Sequence, residues 1–300
     1  MTLPGSDVAK TAASSISTSL GANATVDPMT PFFETTLNRV EEIDGVVTLE
    51  FDVEASRTEW RGFKPGQFNM LYAFGVGEVA ISISGDASND HHLVHTIRAV
   101  GAGSRALVNL EPGSPVGIRG PFGNSWPVEQ AIGKDVLLIA GGLGLAPLRP
   151  ALYHLLKHRQ QYGKIALLYG AKSPEEILFH KELNQWQQQA DLDIHVTVDH
   201  APRTWTGNVG LVTRLFPDIA LDRANTVALL CGPEVMMRAC ANELEQQGCD
   251  AEQIYLSMER NMKCAIGFCG HCQYGKHFIC KNGPIFSFAS LRSLLSIREI

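Results

Sequence analysis

Four of the chain's seven cysteines crowd between Cys264 and Cys280, in the pattern C-x4-C-x2-C-x7-C. No other feature constrains the chain as much. The first three follow plant-type [2Fe–2S] spacing, in which thiolates from one loop converge on a small cluster and a later cysteine completes the set. Gly267, Gly270 and Gly275 permit the tight turns that such a loop needs. The metal-ligand candidates are therefore Cys264, Cys269, Cys272 and Cys280. A structural zinc site with four thiolates, or with His271 replacing one, is the alternative. Zinc sites more often use C-x2-C pairs on both sides, and only one pair here has that spacing, so iron–sulfur is favoured. An odd, clustered set of cysteines also argues against a disulfide framework and for a reducing compartment, the cytoplasm. Cys240 reads as core on a helix face, and Cys249 has no role assigned.

The 300 residues suggest about two domains. Hydrophobic residues at 45% can build a normal core, and a net charge of -6 offers no basic excess for nucleic acid. The longest apolar run, Val136 to Leu148, is broken by glycines and a proline, so no membrane span is expected. The N-terminus lacks a charged region followed by an apolar one, so no secretory signal is expected either. Residues 1–29, rich in Ala, Ser and Thr, read as a flexible tail.

From 30 to 127 the pattern is short strands and Gly/Pro turns, predicting a small antiparallel barrel. Candidate strands are Glu34–Val40, Val46–Val53, Gln67–Tyr72, Val79–Ser84, His95–Val100 and Ser114–Arg119. One short helix, Ser104–Leu110, interrupts them, with Ser104 as its N-cap and its start as an anion site fit for a flavin pyrophosphate. His91, His92 and His95 look like a ligand set but read better as a polar strand approach, with no metal assigned.

From 128 to 250 strands alternate with helices. The strands are Val136–Ala140, Ile165–Tyr169, Ile194–Asp199 and Thr226–Cys231. The helices are Leu148–Tyr162, Pro174–Ala190, Val209–Phe216 and Glu234–Gln247. Gly163 and Gly248 sit where helix ends want a left-handed residue. The alternation predicts a doubly wound parallel sheet that binds ligands at the carboxyl ends of its strands. Val136–Ala140 runs into Gly141-Gly-Leu-Gly-Leu-Ala-Pro147, a glycine turn before a helix. It suits a pyrophosphate, although a purely structural turn is about as well supported. Cys231-Gly232-Pro233 ends the fourth strand and presents a thiol in the same crevice. From 251 to 300 come the cysteine loop and an apolar tail. Leu291, Leu294, Leu295 and Ile297 either pack on the chain's own domain or dock on a partner.

The order of these pieces resembles the ferredoxin–NADP reductase superfamily. The matching motifs are PGQF at Pro65, I-S-I at Ile81, G-x-G-S at Gly101, GPFG at Gly120, GGLGLAP at Gly141 and CGP at Cys231. Ser257 to Cys272, with Phe74-Gly-Val-Gly-Glu78, looks like the gamma subunits of cytoplasmic NAD(P)-linked NiFe hydrogenases, or sulfhydrogenases. The electron-transfer subunits of anaerobic sulfite reductase and of dihydroorotate dehydrogenase are similar relatives.

The resemblance implies a flavin-binding β-barrel, an α/β nucleotide domain and a small C-terminal [2Fe–2S] segment. It implies FAD, or FMN, with NAD(P)H as substrate. Catalytic positions fall on Ser82 and Cys231. Cofactor contacts fall on Gly66, Gln67, Phe68, Ile81, Ser82, Ile83, Gly101, Gly103, Ser104, Gly120 and Pro121 in the barrel half. In the nucleotide half they fall on Gly141, Gly142, Gly144, Pro147, Gly170, Cys231, Gly232, Pro233 and Met236. The superfamily's phosphate-binding Arg is replaced by Val79, so the Gly103/Ser104 helix start, with Arg98 or Arg105, must meet that charge. Asp199 and Arg203 pull opposite ways on a 2′-phosphate.

The implied function is electron transfer between NAD(P)H, flavin and cluster, to or from hydrogenase-type catalytic and iron–sulfur subunits. A stand-alone NAD(P)H–ferredoxin flavoreductase and a zinc-stapled, non-enzymatic interaction module are the competing readings.

Overall fold

The computed structural model describes residues 27–53, 60, 62–89, 91–189 and 191–297. Most of the expected N-terminal tail lies outside them.

Alternating apolar residues build the first unit. Strands β1 (Phe32–Ile43), β2 (Val46–Asp52), β3 (Phe68–Ala73), β4 (Gly77–Ser82), β5 (His92–Arg98) and β6 (Pro115–Phe122) pair in the order β4-β3-β6-β1-β2-β5. Every pairing is antiparallel. The two edge strands meet just past β4, where Ile83 bridges to His95 and Ser84 N donates to Val94 O at 2.8 Å. The sheet thereby curls into a barrel filled by Leu49, Phe51, Leu71, Ile83, Leu93 and Ile97, all fully buried. Helix α1 (Ala102–Val108) follows β5.

The second unit is a seven-stranded sheet. Strands β7 (Asp135–Gly141), β8 (Ile165–Ala171), β9 (Leu192–Val198), β10 (Asn208–Val209), β11 (Thr226–Cys231) and β12 (Ile254–Ser257) are parallel to their neighbours. Between them run α2 (Leu145–Lys157), α3 (His180–Gln187) and α4 (Glu234–Gln246). Every residue of β11, and all of β7 after Asp135, is buried. Such unbroken apolar runs belong to strands covered on both faces.

The sheet continues past residue 250. After the cysteine loop come the short strands β13 (Gln273–Tyr274) and β14 (His277–Phe278), helix α5 (Ile279–Asn282), strand β15 (Ile285–Ser287) and helix α6 (Phe288–Leu295). β15 pairs antiparallel with β12 and completes the order β10-β9-β8-β7-β11-β12-β15. The loop is thus an excursion between two strands of the nucleotide-type sheet. In the apolar tail Phe288, Leu291 and Leu295 are buried in the core, so this helix packs on its own domain.

Asn124, just past β6, ties the barrel to β15. Its Nδ2 donates to Ile285 O at 2.7 Å, and its Oδ1 accepts Ile285 N at 3.0 Å. Asn124→Ala is expected to cost about 1–2 kcal/mol, read as a lower denaturant midpoint at unchanged slope.

Three expected elements differ. Val209–Phe216 is not an α-helix but β10 followed by a 3-10 turn, Val212–Asp218. Gly210 at φ +129° and Pro217 break the regular spiral there. Pro174–Ala190 divides into a 3-10 turn (Pro174–Glu176) and α3, with Phe179 left-handed at φ 55° between them. Gly163 is not left-handed; a Cβ there would lie 2.3 Å from Asp135 Oδ1, so close approach demands the glycine. Gly248 does take the expected conformation, at φ +97°.

Candidate redox site

The cysteine loop positions its thiols by turning backbone N–H groups inward. Phe268 N and Cys269 N donate to Cys264 Sγ at 3.2 and 3.4 Å. Gly267 N donates to Cys280 Sγ at 3.2 Å, and Cys280 N to Cys272 Sγ at 3.4 Å. Burial opposes charge on Cys264, but the N–H groups of Cys269, Ile266 and Phe268 outweigh it and lower its pKa. Cys269 is exposed and is lowered chiefly by the N–H of His271. Cys280 is pushed up to about 12 by burial and by its thiol neighbour Cys272.

The thiols stand in two contacting pairs, Cys264 with Cys269 and Cys272 with Cys280. Among the described residues no three His, Cys, Asp or Glu side chains meet at a single-ion position. Two thiolates for each of two irons match this arrangement better than one tetrahedral zinc does. The loop's N–H groups donate to sulfur as a cluster-binding loop requires, so these residues fit an iron–sulfur group.

The crevice of the parallel sheet lies at its topological switch point. The chain runs from β7 outward to β8 and β9, then returns to β11 on β7's other side. Ligands of open α/β sheets bind there. Cys231 pairs with Ala140 and Gly141 with Gly170, so the three strand ends lie side by side. Close packing governs two of the glycines. A Cβ on Gly144 would lie 2.1 Å from Cys231 O, and one on Gly141 would lie 2.4 Å from Met236 Sδ. These residues join the two loops rather than receive a ligand. Gly232 serves the same contact, its Cβ position lying 2.9 Å from Gly141 N. Pro147 is buried, and its carbonyl accepts Trp126 Nε1 at 2.9 Å. Gly142 alone of the turn's glycines faces open space. Pro233 is exposed and Met236 half-buried beside it. Cys231 is 2% exposed, and burial pushes its thiol pKa well up, so it is neutral.

In the barrel, β4 brings Ile81 and Ser82, both half-buried, beside the start of α1. Gly103 abuts Val79, the position of the missing arginine, at 3.6 Å from its Cβ site. Ser104 is not the N-cap. Gly101 is, and Ser104 Oγ, one turn in, accepts the N–H groups of Val100 and Gly101, each at 3.0 Å. The space around Gly101 is open, as a phosphate would need.

Other expected contact residues are committed elsewhere. Ile83 points into the barrel core, and Phe68 is buried with its ring 5.9 Å from that of Phe122. Gln67 bridges Lys64 N and Gly123 O. Gly66 and Gly120 lie against Ile285 and Asn69, while Pro121 follows Gly120 through a cis bond. The barrel side therefore leaves Ile81, Ser82, Gly101 and Gly103 available to a flavin. Asp199 and Arg203 are both exposed beyond the end of β9.

Sequence reasoning missed His95. It is fully buried under Ser82, its Nδ1–H donating to Ser82 O at 2.9 Å and its Nε2 accepting Asn69 Nδ2 at 3.2 Å. Only the alternation of β5, which turns residue 95 inward, pointed to it. Burial drives its pKa down to about 4 from 6.5. Between those values the unfolded chain binds the extra proton. Stability is therefore full above about pH 6.5 and falls by roughly 3 kcal/mol as pH drops towards 4. Denaturation across that window should show the slope, and His95→Gln should flatten it.

A barrel with a phosphate-ready helix start, followed by a parallel sheet with a switch-point crevice, defines an oxidoreductase of the ferredoxin–NADP reductase class. Residues 138–242 match an oxidoreductase NAD-binding domain, and 259–292 match the iron–sulfur cluster binding domain of dihydroorotate dehydrogenase B. The chain is 34% identical to sulfhydrogenase 1 subunit gamma of Pyrococcus furiosus, covering 84% of this chain and 88% of that one. It is 36% identical to sulfhydrogenase 2 subunit gamma of the same organism, covering 83% and 90%. A protein of Methanocella arvoryzae, named as the electron transfer subunit of dihydroorotate dehydrogenase B (NAD(+)), is 32% identical, covering 88% and 93%. Among solved structures, an NADH-dependent reduced ferredoxin-NADP oxidoreductase superposes with a TM-score of 0.69 at 22% identity, covering 89% and 94% of the chains. The chain belongs to the family of electron-transfer subunits that comprises the sulfhydrogenase gamma and dihydroorotate dehydrogenase B proteins. No helix among the described residues is long and apolar enough to cross a membrane.

Proposed function

We propose that the chain is the diaphorase-type subunit of a cytoplasmic complex, passing electrons between NAD(P)H and a NiFe hydrogenase-type partner. The cluster loop, with its N–H···S bonds and paired thiols, carries this reading. Likeness to two sulfhydrogenase gamma subunits over most of both chains supports the choice of partner. When bound, FAD converts a hydride pair into single electrons and a [2Fe–2S] cluster carries them one at a time.

The chain's own residues bind and orient. Residues 30–127 serve as the flavin domain, 128–250 as the nucleotide domain and 251–300 as the cluster segment. Gly142 leaves room for the nucleotide pyrophosphate where α2 offers free N–H groups. Neutral Cys231 and half-buried Met236 give the nicotinamide an uncharged, compact wall. Ser82 supplies a hydroxyl on the flavin side, and His95 fixes its carbonyl. Gly101 and Gly103 admit the flavin phosphates, with Arg98 or Arg105 in place of the missing arginine. Cys264, Cys269, Cys272 and Cys280 hold the cluster.

The test is hydrogen-dependent NAD(P) reduction. The complex with its partner subunits should perform it and the isolated chain should not. A native pull-down that yields no stable partner, or a lone chain that reduces ferredoxin as fast as any complex, would overturn the reading.

A further inference from the structure

We propose that Arg119 is a positioning residue for electron transfer: it fastens the cluster loop to the flavin-side barrel and holds a fixed positive charge beside the first cluster ligand. This rests on the function proposed above.

Arg119 lies on β6, 3% exposed. A buried guanidinium persists only where its N–H groups and charge are met. Glu78 on β4 meets them from one side, accepting Nε at 2.7 Å and Nη2 at 2.8 Å in a two-pronged pair. On the other side the same guanidinium reaches across 145 positions of sequence to the cysteine loop. Nη1 donates to Cys264 O at 3.3 Å, and Nη2 to Lys263 O at 3.4 Å. Nη1 also donates to Pro28 O at 2.7 Å.

The anchor has a consequence for geometry. Glu78 and Ser82 are four residues apart on β4, so strand alternation puts them on one face. The strand that offers Ser82 to the flavin therefore also sets the position of Cys264, through one carboxylate and one guanidinium. A site referred to a strand is held more tightly than one left on a free loop. The anchor has a consequence for charge as well. Arginine stays protonated at all ordinary pH values, and charge near an iron–sulfur group tunes its potential. Removing Arg119's charge and removing Glu78's charge should move that potential in opposite directions. Mere loosening of the loop would move both the same way.

The experiment uses the full chain with its iron, comparing Arg119→Met, Arg119→Lys and Glu78→Gln by redox titration, paramagnetic resonance and rapid-mixing kinetics. In Arg119→Met the cluster potential should become more negative, its g-values should change and flavin-to-cluster transfer should slow about 10-fold. Glu78→Gln should shift the potential positive. Arg119→Lys should keep the potential near that of the parent and recover part of the rate. Unmoved potentials, or shifts of one sign in both charge-removing variants, would overturn the proposal. If Arg119→Met does not fold, Glu78→Gln decides: a positive shift supports the proposal and any other result overturns it. Iron in the parent chain with unmoved variants defeats this inference alone. A parent chain without iron defeats the proposed function as well.

Discussion

Cys272→Ser is expected to remove the one-electron outlet of the protein. Cys272 is 2% exposed and accepts the N–H of Cys280, so both members of that thiol pair lose their arrangement together. A hydroxyl there is a poor ligand to iron and leaves the Cys280 N–H with a weaker purpose. The visible absorbance and low-temperature paramagnetic signal of the cluster should disappear. Electron delivery to the partner subunits should fall by more than about 100-fold, beyond the 10–100-fold that follows loss of groups merely supporting the ligands. Reduction of a two-electron dye by NAD(P)H should fall far less, because the crevice and barrel do not use this thiol. Equal loss of both activities would mean that the cysteines hold the whole fold rather than an electron outlet.

Gly144→Ala is the second large effect. The added Cβ would meet Cys231 O at 2.1 Å, Cys231 C at 2.4 Å and Gly232 N at 2.7 Å. All three are backbone atoms of the facing loop, so no side-chain rotation relieves the clash. The two strand ends must part. We expect at least about 3 kcal/mol of lost stability, the upper end of ordinary overpacking. The KM for NAD(P)H should rise about 10-fold in whatever protein folds, because the crevice is built from these two loops. Gly142→Ala is the control. Its Cβ meets nothing, and its φ of +53° costs a side chain only about 1–2 kcal/mol. A stability loss in Gly142→Ala as large as that in Gly144→Ala would contradict the packing argument.

These contrasts show what could be read from the residues alone. The strand–helix alternation after residue 128 was legible because buried parallel strands are unbroken apolar runs, as in Val136–Ala140 and Thr226–Cys231. The cysteine spacing was legible because loop length fixes which thiols can converge. The division of labour among the glycines was not. Gly141, Gly142 and Gly144 look alike in sequence, yet two serve loop contact and one faces open space. Which of them does which depends on Cys231 and Met236, some ninety positions away in the chain and adjacent only once β7 and β11 pair. His95 and Arg119 stayed hidden for a similar reason. Each is a polar residue in a barrel strand whose partners, Asn69 and Ser82 for one, Glu78 and the cysteine loop for the other, come from elsewhere in the chain. The 3-10 turn at Val212–Asp218 was misread as a helix because apolar spacing at three and four residues suits both spirals.

Everything in the proposed route depends on the cysteine loop carrying iron while the barrel carries a flavin. The direct measurement is metal and flavin analysis of the protein purified without oxygen, together with its paramagnetic spectrum before and after dithionite. The account predicts about two irons and one flavin per chain, and a low-temperature signal that appears only on reduction. Stoichiometric zinc, no flavin and a silent spectrum after dithionite would contradict it.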